Sequence, residues 1–474
     1  MQLIGRDKEK VILDQTLESK KPELLVVYGR RRVGKTYLIK EYFGNVFSFY
    51  STGVSKGKTD VQLLAFKTSL EYYWKGKKKV TIGNWFEAFS ALREFLESDS
   101  VERDPSSHKR IIFLDEVPWF ATPKSNFESA LDYFWNSWAS TQPDLVLILC
   151  GSATSWIISH FLSDKKGFYN RVTNRIHLMP FSIRECKELS ASFGLTFSDD
   201  EILEGYLTFG GIPYYCNLLN RRMSMELNIE WLIYDKQGAL HYEYEELFSS
   251  LFKDYEQHSL IIDALSERRG GLTRQELSDV RGVVSGKSLT TVLRELEQCG
   301  FIRKYDEFPN EKRSEHYQII DLFLWFCIQS RKEHRSSYLS FKNTPRYYAF
   351  RGHAFETLCF NHIEQIKESL GISGIETSEY EWHSKKHEPG AQIDLIIDRR
   401  DNTMNLCEIK CVDGEFEITK DYDEELREKI QVFSEETKVR KSLRLTMITF
   451  NGVKKNSHYG VVQNEVVVRS FLTE

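Results

Sequence analysis

Proline is scarce in this chain, 10 of 474 residues, and no low-complexity tract interrupts it. That excludes a disordered or extended proline-rich protein. The eight cysteines, at positions 150, 186, 216, 299, 327, 359, 407 and 411, form none of the C-x-x-C pairs of a zinc ribbon or redox centre, so a reducing cytoplasm is expected. Long apolar runs are missing too. Stretches such as Leu145 to Cys150 and Leu322 to Ile328 are far too short to span a bilayer, and Met1 to Asp7 has neither the basic start nor the apolar core of a signal peptide. No membrane role is expected. Charge of one sign is also lacking: 64 Lys and Arg against 69 Asp and Glu leave a net charge of -5, which argues against wholesale coating of nucleic acid but leaves local basic patches open. What remains is 41% hydrophobic and 28% charged, and 474 residues are too many for one core, so several folded domains are expected.

The first ~180 residues alternate short apolar runs with helical patterns, the rhythm of a parallel sheet covered on both faces. Strands are expected at Leu24 to Tyr28, Val46 to Tyr50, Arg110 to Asp115, Leu145 to Cys150 and Arg175 to Leu178. From Ser182 to about Phe252 the period is helical, as in a small lid. Tyr255 to Tyr317 then reads as helix, short helix from Thr273, a turn through Gly282 to Gly286, helix Ser288 to Gln298 and strand Phe301 to Tyr305. That is the order of a winged helix-turn-helix, with Phe308 to Glu315 as wing. After a connector around Leu322 to Tyr338, a last domain opens near Tyr347 with a helix whose apolar stripe is Phe355, Leu358, Ile363, Ile366 and Leu370. The expected divisions are 1–252, 253–340 and 345–474.

Gly29-Arg30-Arg31-Arg32-Val33-Gly34-Lys35-Thr36 fits G-x-x-x-x-G-K-T, preceded by an apolar strand and followed by a helical pattern. Backbone amides of such a loop curl around phosphates. Lys35 adds a point charge at the β and γ phosphates, and the Thr36 hydroxyl can hold Mg²⁺. The second element, Ile111-Ile112-Phe113-Leu114-Asp115-Glu116, is a buried strand ending in two carboxylates: Asp115 suits the Mg²⁺ water shell and Glu116 suits polarising the attacking water.

With these motifs the chain resembles the archaeal-type ATPases, a branch of the AAA+ and STAND P-loop proteins. Further matches are the Gly-Arg box Ile4-Gly5-Arg6-Asp7-Lys8-Glu9, Cys150-Gly151-Ser152, Asn170-Arg171 ahead of Pro180-Phe181-Ser182, and Gly210-Gly211-Ile212-Pro213-Tyr214-Tyr215. The resemblance implies ATP as ligand, Arg6 near the adenine, Ser152 as γ-phosphate sensor, and Arg171 or Arg175 as a cation for the phosphates from the same or a neighbouring subunit. Asn170 departs from the pattern, where a glycine usually precedes the arginine.

A second constellation is Gln392-Ile393-Asp394-Leu395-Ile396-Ile397, a polar turn at Arg399 to Asn402, then Met404-Asn405-Leu406-Cys407-Glu408-Ile409-Lys410. Side chains alternate along strands, so Glu408 and Lys410 share a face and an antiparallel partner can bring Asp394 beside them. This D-x(n)-E-x-K arrangement resembles the PD-(D/E)XK nuclease-like fold, which adds Glu356 from the preceding helix. The resemblance implies Asp394, Glu408 and Glu356 around Mg²⁺ or Mn²⁺, Lys410 beside the nucleophile, and DNA as a candidate substrate. The fold class expected is therefore α/β: a P-loop AAA+ parallel sheet with helical lid, a winged helix-turn-helix, and a C-terminal PD-(D/E)XK nuclease-like domain. An alternative is a STAND-like regulatory switch, acting as a homo-oligomer or with a protein partner, whose tail binds without cleaving.

Two features weigh less. His383 and His387 are spaced H-x-x-x-H, but in a sequence that reads as loop rather than the helix that would aim both rings at one zinc. Lys75 to Lys79, beside Tyr72, Tyr73 and Trp74, suits a solvated turn better than a phosphate-binding patch.

Overall fold

The structure, a computed structural model, describes residues 3–473 except 77, 100, 164–167, 169, 253–254, 269, 310–314, 333–336 and 385–390. It divides into two compact units, Met1–Pro180 and Phe181–Glu474. Among the described residues no helix is long and apolar enough to cross a membrane.

The first unit is built on five parallel strands, β1 (Glu23–Tyr28), β2 (Phe49–Thr52), β3 (Arg110–Asp115), β4 (Leu145–Gly151) and β5 (Asn174–His177), in the order β2-β3-β4-β1-β5. Every residue of β1, β3 and β4 is buried, which is why these strands are near-continuous apolar runs rather than alternating ones. One face is covered by an aromatic layer in which Trp85 meets Phe127 edge-on at 4.9 Å and Phe66 packs on Phe49 at 5.0 Å. The helix that delivers Trp85, Trp85–Leu96, starts at an Asn84 cap whose side chain accepts the Glu87 amide. Strand β2 begins three residues later than Val46. The Ser48 hydroxyl is drawn out of the ladder to donate to the Glu102 carbonyl while accepting the Ile111 amide, so pairing starts only at Phe49 opposite Ile112. The basic run lies against the same core: Trp74 is buried, Tyr72 is exposed, and Lys78 sits over the Trp74 ring while pairing with Glu94. Lys77 of that run is outside the described residues.

The second unit opens with the helices Ile183–Ser192, Asp199–Phe209, Pro213–Cys216, Met225–Ile229 and Glu243–Leu251. The first two begin in capping boxes, Ser182 with Glu185 and Ser198 with Glu201. Three helices follow, Tyr255–Leu265, Arg274–Asp279 and Gly286–Gln298, with a small antiparallel sheet of β6 (Leu272–Thr273), β7 (Ile302–Asp306) and β8 (Glu315–Ile319) in the order β6-β8-β7. Most of the stretch read as a wing, residues 310–314, lies outside the described residues, as do 333–336 of the connector.

The last sheet contains β9 (Thr377–His383), β10 (Gln392–Arg399), β11 (Thr403–Lys410), β12 (Ser442–Thr449) and β13 (Asn464–Val467), in the order β13-β12-β11-β10-β9. Strands β9 to β11 are antiparallel; β11 to β13 are parallel, with the helix Lys420–Thr437 crossing between β11 and β12. The helical stripe expected from Phe355 to Leu370 is broken into Pro345–Asn361 and Ile363–Ser369. At the break the buried His362 ring bonds the Leu358 carbonyl through Nδ1 and accepts the Ile183 amide at Nε2, so the ring is the neutral Nδ1–H form; burial lowers its pKa accordingly.

Candidate functional site

In the second unit the strand pair β10–β11 assembles a carboxylate site. The register sets Leu395 opposite Cys407, as the D-x(n)-E-x-K spacing requires, and Asp394 and Glu408 meet from neighbouring strands. On its other side β10 is irregular: Ile393 faces Trp382 but Ile396 faces Tyr380, so Asp394 and Leu395 together oppose Glu381. Such a bulge re-aims a side chain. Asp394 Oδ2 accepts the Ile409 amide at 3.0 Å, and Lys410 Nζ lies 3.9 Å from Asp394 and 3.4 Å from Glu408. Asp394 is 8% exposed and Glu408 2%. Burial, then the charges of Glu408 and Glu356, push the Asp394 carboxyl up to about 7, against the opposing pull of Lys410 and the Ile409 amide.

Two groups that the motif did not announce also reach Glu408. From the helix Lys420–Thr437, the Tyr422 hydroxyl and Lys429 Nζ each donate to its Oε2 at 3.1 Å. They stand seven residues apart, two turns along one helical face, so the spacing was available in the sequence although nothing in it pointed to Glu408. The other oxygen, Oε1, is buried and has no hydrogen-bond partner among the described residues. A buried carboxylate oxygen left unbonded is costly, and such an oxygen suits a hard divalent cation that takes one or two carboxylates and completes its shell with water. Glu356 lines a recess with Asp394 and Glu381. Nevertheless, among the described residues no group of three or more His, Cys, Asp or Glu is arranged to hold a metal ion. Glu356 contributes charge to Asp394 from that recess. His387 is outside the described residues; His383 ends β9 and pairs with Glu307 at 3.2 Å.

In the first unit the loop Gly29 to Thr36 leaves β1 and runs into the helix Lys35–Tyr42. Gly29, at φ 146°, passes so close to β5's end that a Cβ there would stand 2.3 Å from the Leu178 carbonyl oxygen, and Gly34 takes φ 91°. Arg30 and Val33 are buried, and Arg32 has left-handed backbone. Lys35 Nζ donates to the Gly29 and Arg30 carbonyls, both at 2.8 Å, so its ammonium lies inside the curl of the loop. The Thr36 hydroxyl donates to Asp115 Oδ2 at 2.7 Å, and Oδ1 of the same carboxylate accepts the Glu116 amide. A hydroxyl and a carboxylate in contact form a donor set that suits Mg²⁺. Glu116 has left-handed backbone, φ 47°, and its Oε2 is held by the amide and hydroxyl of Ser152 at 3.3 and 3.0 Å. That contact needs Gly151, where a Cβ would lie 2.7 Å from Pro118.

An AAA-domain family profile matches residues 21–187. That match takes in all five strands of the first unit's sheet and the loop Gly29 to Thr36. An uncharacterized protein of Methanocaldococcus jannaschii is 26% identical over 337 residues, 69% of this chain and 68% of that one. An uncharacterized ATP-binding protein of the same organism is 43% identical over 42 residues, 9% of this chain and 71% of its own. Among solved structures, the Walker-type ATPase of Pyrococcus abyssi is similar at 18% identity and a TM-score of 0.48, covering 69% of this chain and 96% of that one. The Aeropyrum pernix ORC2 protein in its ADPNP-ADP complexes is similar at 13% identity and a TM-score of 0.39, covering 68% and 92%.

In the first unit the remaining candidates are placed unequally. Arg6, in left-handed backbone ahead of the helix Asp7–Glu18, donates to the Val33 carbonyl at 3.0 Å and the Met179 carbonyl at 2.7 Å, so it clamps the phosphate loop from behind. Arg171 pairs with Asp132 and lies over the Phe168 ring. Arg31 is exposed. Arg175 is exposed on β5 beside a Tyr28–His177 ring stack at 4.7 Å, a pair flanking the loop that sequence patterns do not single out.

Proposed function

We propose that this chain binds and hydrolyses ATP in the first unit and cleaves nucleic acid, with a divalent metal, in the second. Supporting the ATPase half is the contact chain Lys35, Thr36, Asp115, Glu116 and Ser152. Lys35 and the loop amides would hold the phosphates, Thr36 and Asp115 would hold Mg²⁺, and Glu116, positioned by Ser152, would orient the attacking water. Mg²⁺ supplies charge neutralisation at the β and γ phosphates.

The cleavage half is carried by one observation: Glu408 keeps a buried, unbonded Oε1 while its other oxygen shares Lys410 with Asp394. Asp394 and Glu408 would hold Mg²⁺ or Mn²⁺, which would supply Lewis-acid chemistry for phosphodiester hydrolysis. Lys410, partly exposed at the mouth of the site, orients the nucleophile and offsets charge growing on the phosphate. Lys429 and Tyr422 fix the Glu408 plane through its other oxygen. This reading treats residues 345–474 as nuclease-like and 253–340 as a winged-helix module and connector. A regulatory switch that binds without cleaving is the second reading, favoured by Tyr422, Lys429 and Lys410 already engaging Glu408 Oε2.

The deciding assay uses linear duplex and single-stranded DNA with Mg²⁺ or Mn²⁺, with and without ATP. Wild type is expected to cut only with metal, and Lys410→Ala to lose on the order of a hundredfold in rate. Metal-dependent cutting that persists undiminished in Lys410→Ala would remove this site from the reaction; no cutting by wild type in any condition would favour the switch.

A further inference from the structure

The small sheet of the second unit sends one side chain to the edge of the carboxylate site. Arg303, on β7, donates from Nε and Nη2 to the Gln318 side-chain carbonyl at 2.9 and 2.6 Å, and Nη2 also pairs with Glu381 on β9. Its guanidinium carbon lies over Phe360, 3.4 Å from the ring centroid. Phe360 is one helical turn after Glu356 on the helix Pro345–Asn361, so ring and carboxylate share a face. The two sheets are joined beside this contact, where the Phe308 amide donates to the Glu381 carbonyl at 2.9 Å.

Glu381 is the residue that faces the β10 bulge carrying Asp394, and Gln318, Glu356, Glu381, Gln392 and Asp394 line one recess. Three carboxylates on so small a space repel one another. Lys429 and Lys410 answer Glu408, while on the far side the Arg303 guanidinium answers Glu381 directly and feels Glu356 electrostatically. Arginine suits this place because it stays charged when buried and its planar fork matches a carboxylate and an amide oxygen while stacking on a ring.

We propose that Arg303 is a positioning residue of the carboxylate site: it anchors Glu381 opposite the bulge that aims Asp394 and offsets the charge of Glu356 and Glu381. The inference rests on the metal-binding reading of Asp394 and Glu408 above. It makes the small sheet part of the metal site, so that residues 345–474 alone lack a component. It also gives the helical module a direct mechanical hold on that site.

The test is a Mn²⁺ titration of the nucleotide-free full chain, following free Mn²⁺ by electron paramagnetic resonance, with Glu408→Gln defining the component that belongs to the carboxylates. In Arg303→Met that component is expected to weaken about tenfold, while binding of a fluorescent ATP analogue and the far-ultraviolet circular dichroism stay as in wild type. Arg303→Lys, which keeps the charge without the fork, should recover part of the loss. Unchanged Mn²⁺ affinity in Arg303→Met overturns the inference, as does an Arg303→Lys protein that is folded yet binds no better than the methionine variant. If Arg303→Met does not fold, wild-type-like or absent binding in Arg303→Lys still contradicts it, and intermediate binding supports it. A wild type with no Glu408-dependent component overturns the metal-binding reading itself, which is a different failure.

Discussion

Lys35→Ala is expected to lower ATP affinity by about a hundredfold, close to 3 kcal/mol, the scale of two charge-assisted hydrogen bonds lost together. The reason is positional. The ammonium lies on the Gly29 and Arg30 carbonyls, at the centre of the curl that would receive the β and γ phosphates. Removing it takes away the charge and also a brace that holds the loop in its binding shape. Equilibrium binding of a fluorescent ATP analogue measures the loss, and the melting curve without nucleotide separates the two contributions. A variant that bound the analogue like wild type would show that the loop is not the phosphate site.

Asp394→Asn should abolish metal-dependent cleavage and at the same time make the metal-free protein more stable at pH 8. The Asp394 carboxyl is pushed from an ordinary 3.8 up to about 7, first by burial and then by Glu408 and Glu356. A raised folded-state value means that the neutral acid suits the fold. Its stabilising share is complete below pH 4 and is lost as pH rises through 7, where ionising the buried group costs at most about 4 kcal/mol. Asparagine keeps the shape and an oxygen for the Ile409 amide without that cost. In EDTA the variant's advantage in Tm should therefore be largest above pH 7 and shrink towards pH 4. An advantage that is absent at pH 8, or equally large at pH 4, would contradict the assignment.

The sequence carried the parts of this molecule whose chemistry is local. Glycines at 29 and 34 with Lys35 and Thr36 after an apolar run identify a phosphate loop because only that backbone path needs them, and β3 ends at Asp115 as its apolar run ends. The strands β10 and β11 were legible for the same reason, each a short β-rich run separated by a polar turn. What was not legible depends on partners remote in the chain. Strand β2 starts late because Ser48 finds Glu102 and Ile111, and the helix after Pro345 breaks because His362 finds Ile183. Spacing placed Asp394 and Glu408 side by side, yet it gave no hint of the bulge opposite Glu381, of Lys429 and Tyr422 on Glu408, or of Arg303 arriving from another sheet. The resemblance that put a cation at Arg171 could not foresee Asp132 as its partner.

The most direct test is steady-state ATP hydrolysis by the full chain with Mg²⁺, comparing wild type with Glu116→Gln. Glu116 stands at the end of β3 with its carboxylate tethered to Ser152, and glutamine keeps its size while losing the charge that orients water. The expected result is turnover in wild type, a fall of on the order of a hundredfold or more in kcat for the variant, and unaltered ATP affinity. Equal turnover in the two proteins, or none in wild type while ATP is bound, would contradict the reading of this site as a hydrolytic one.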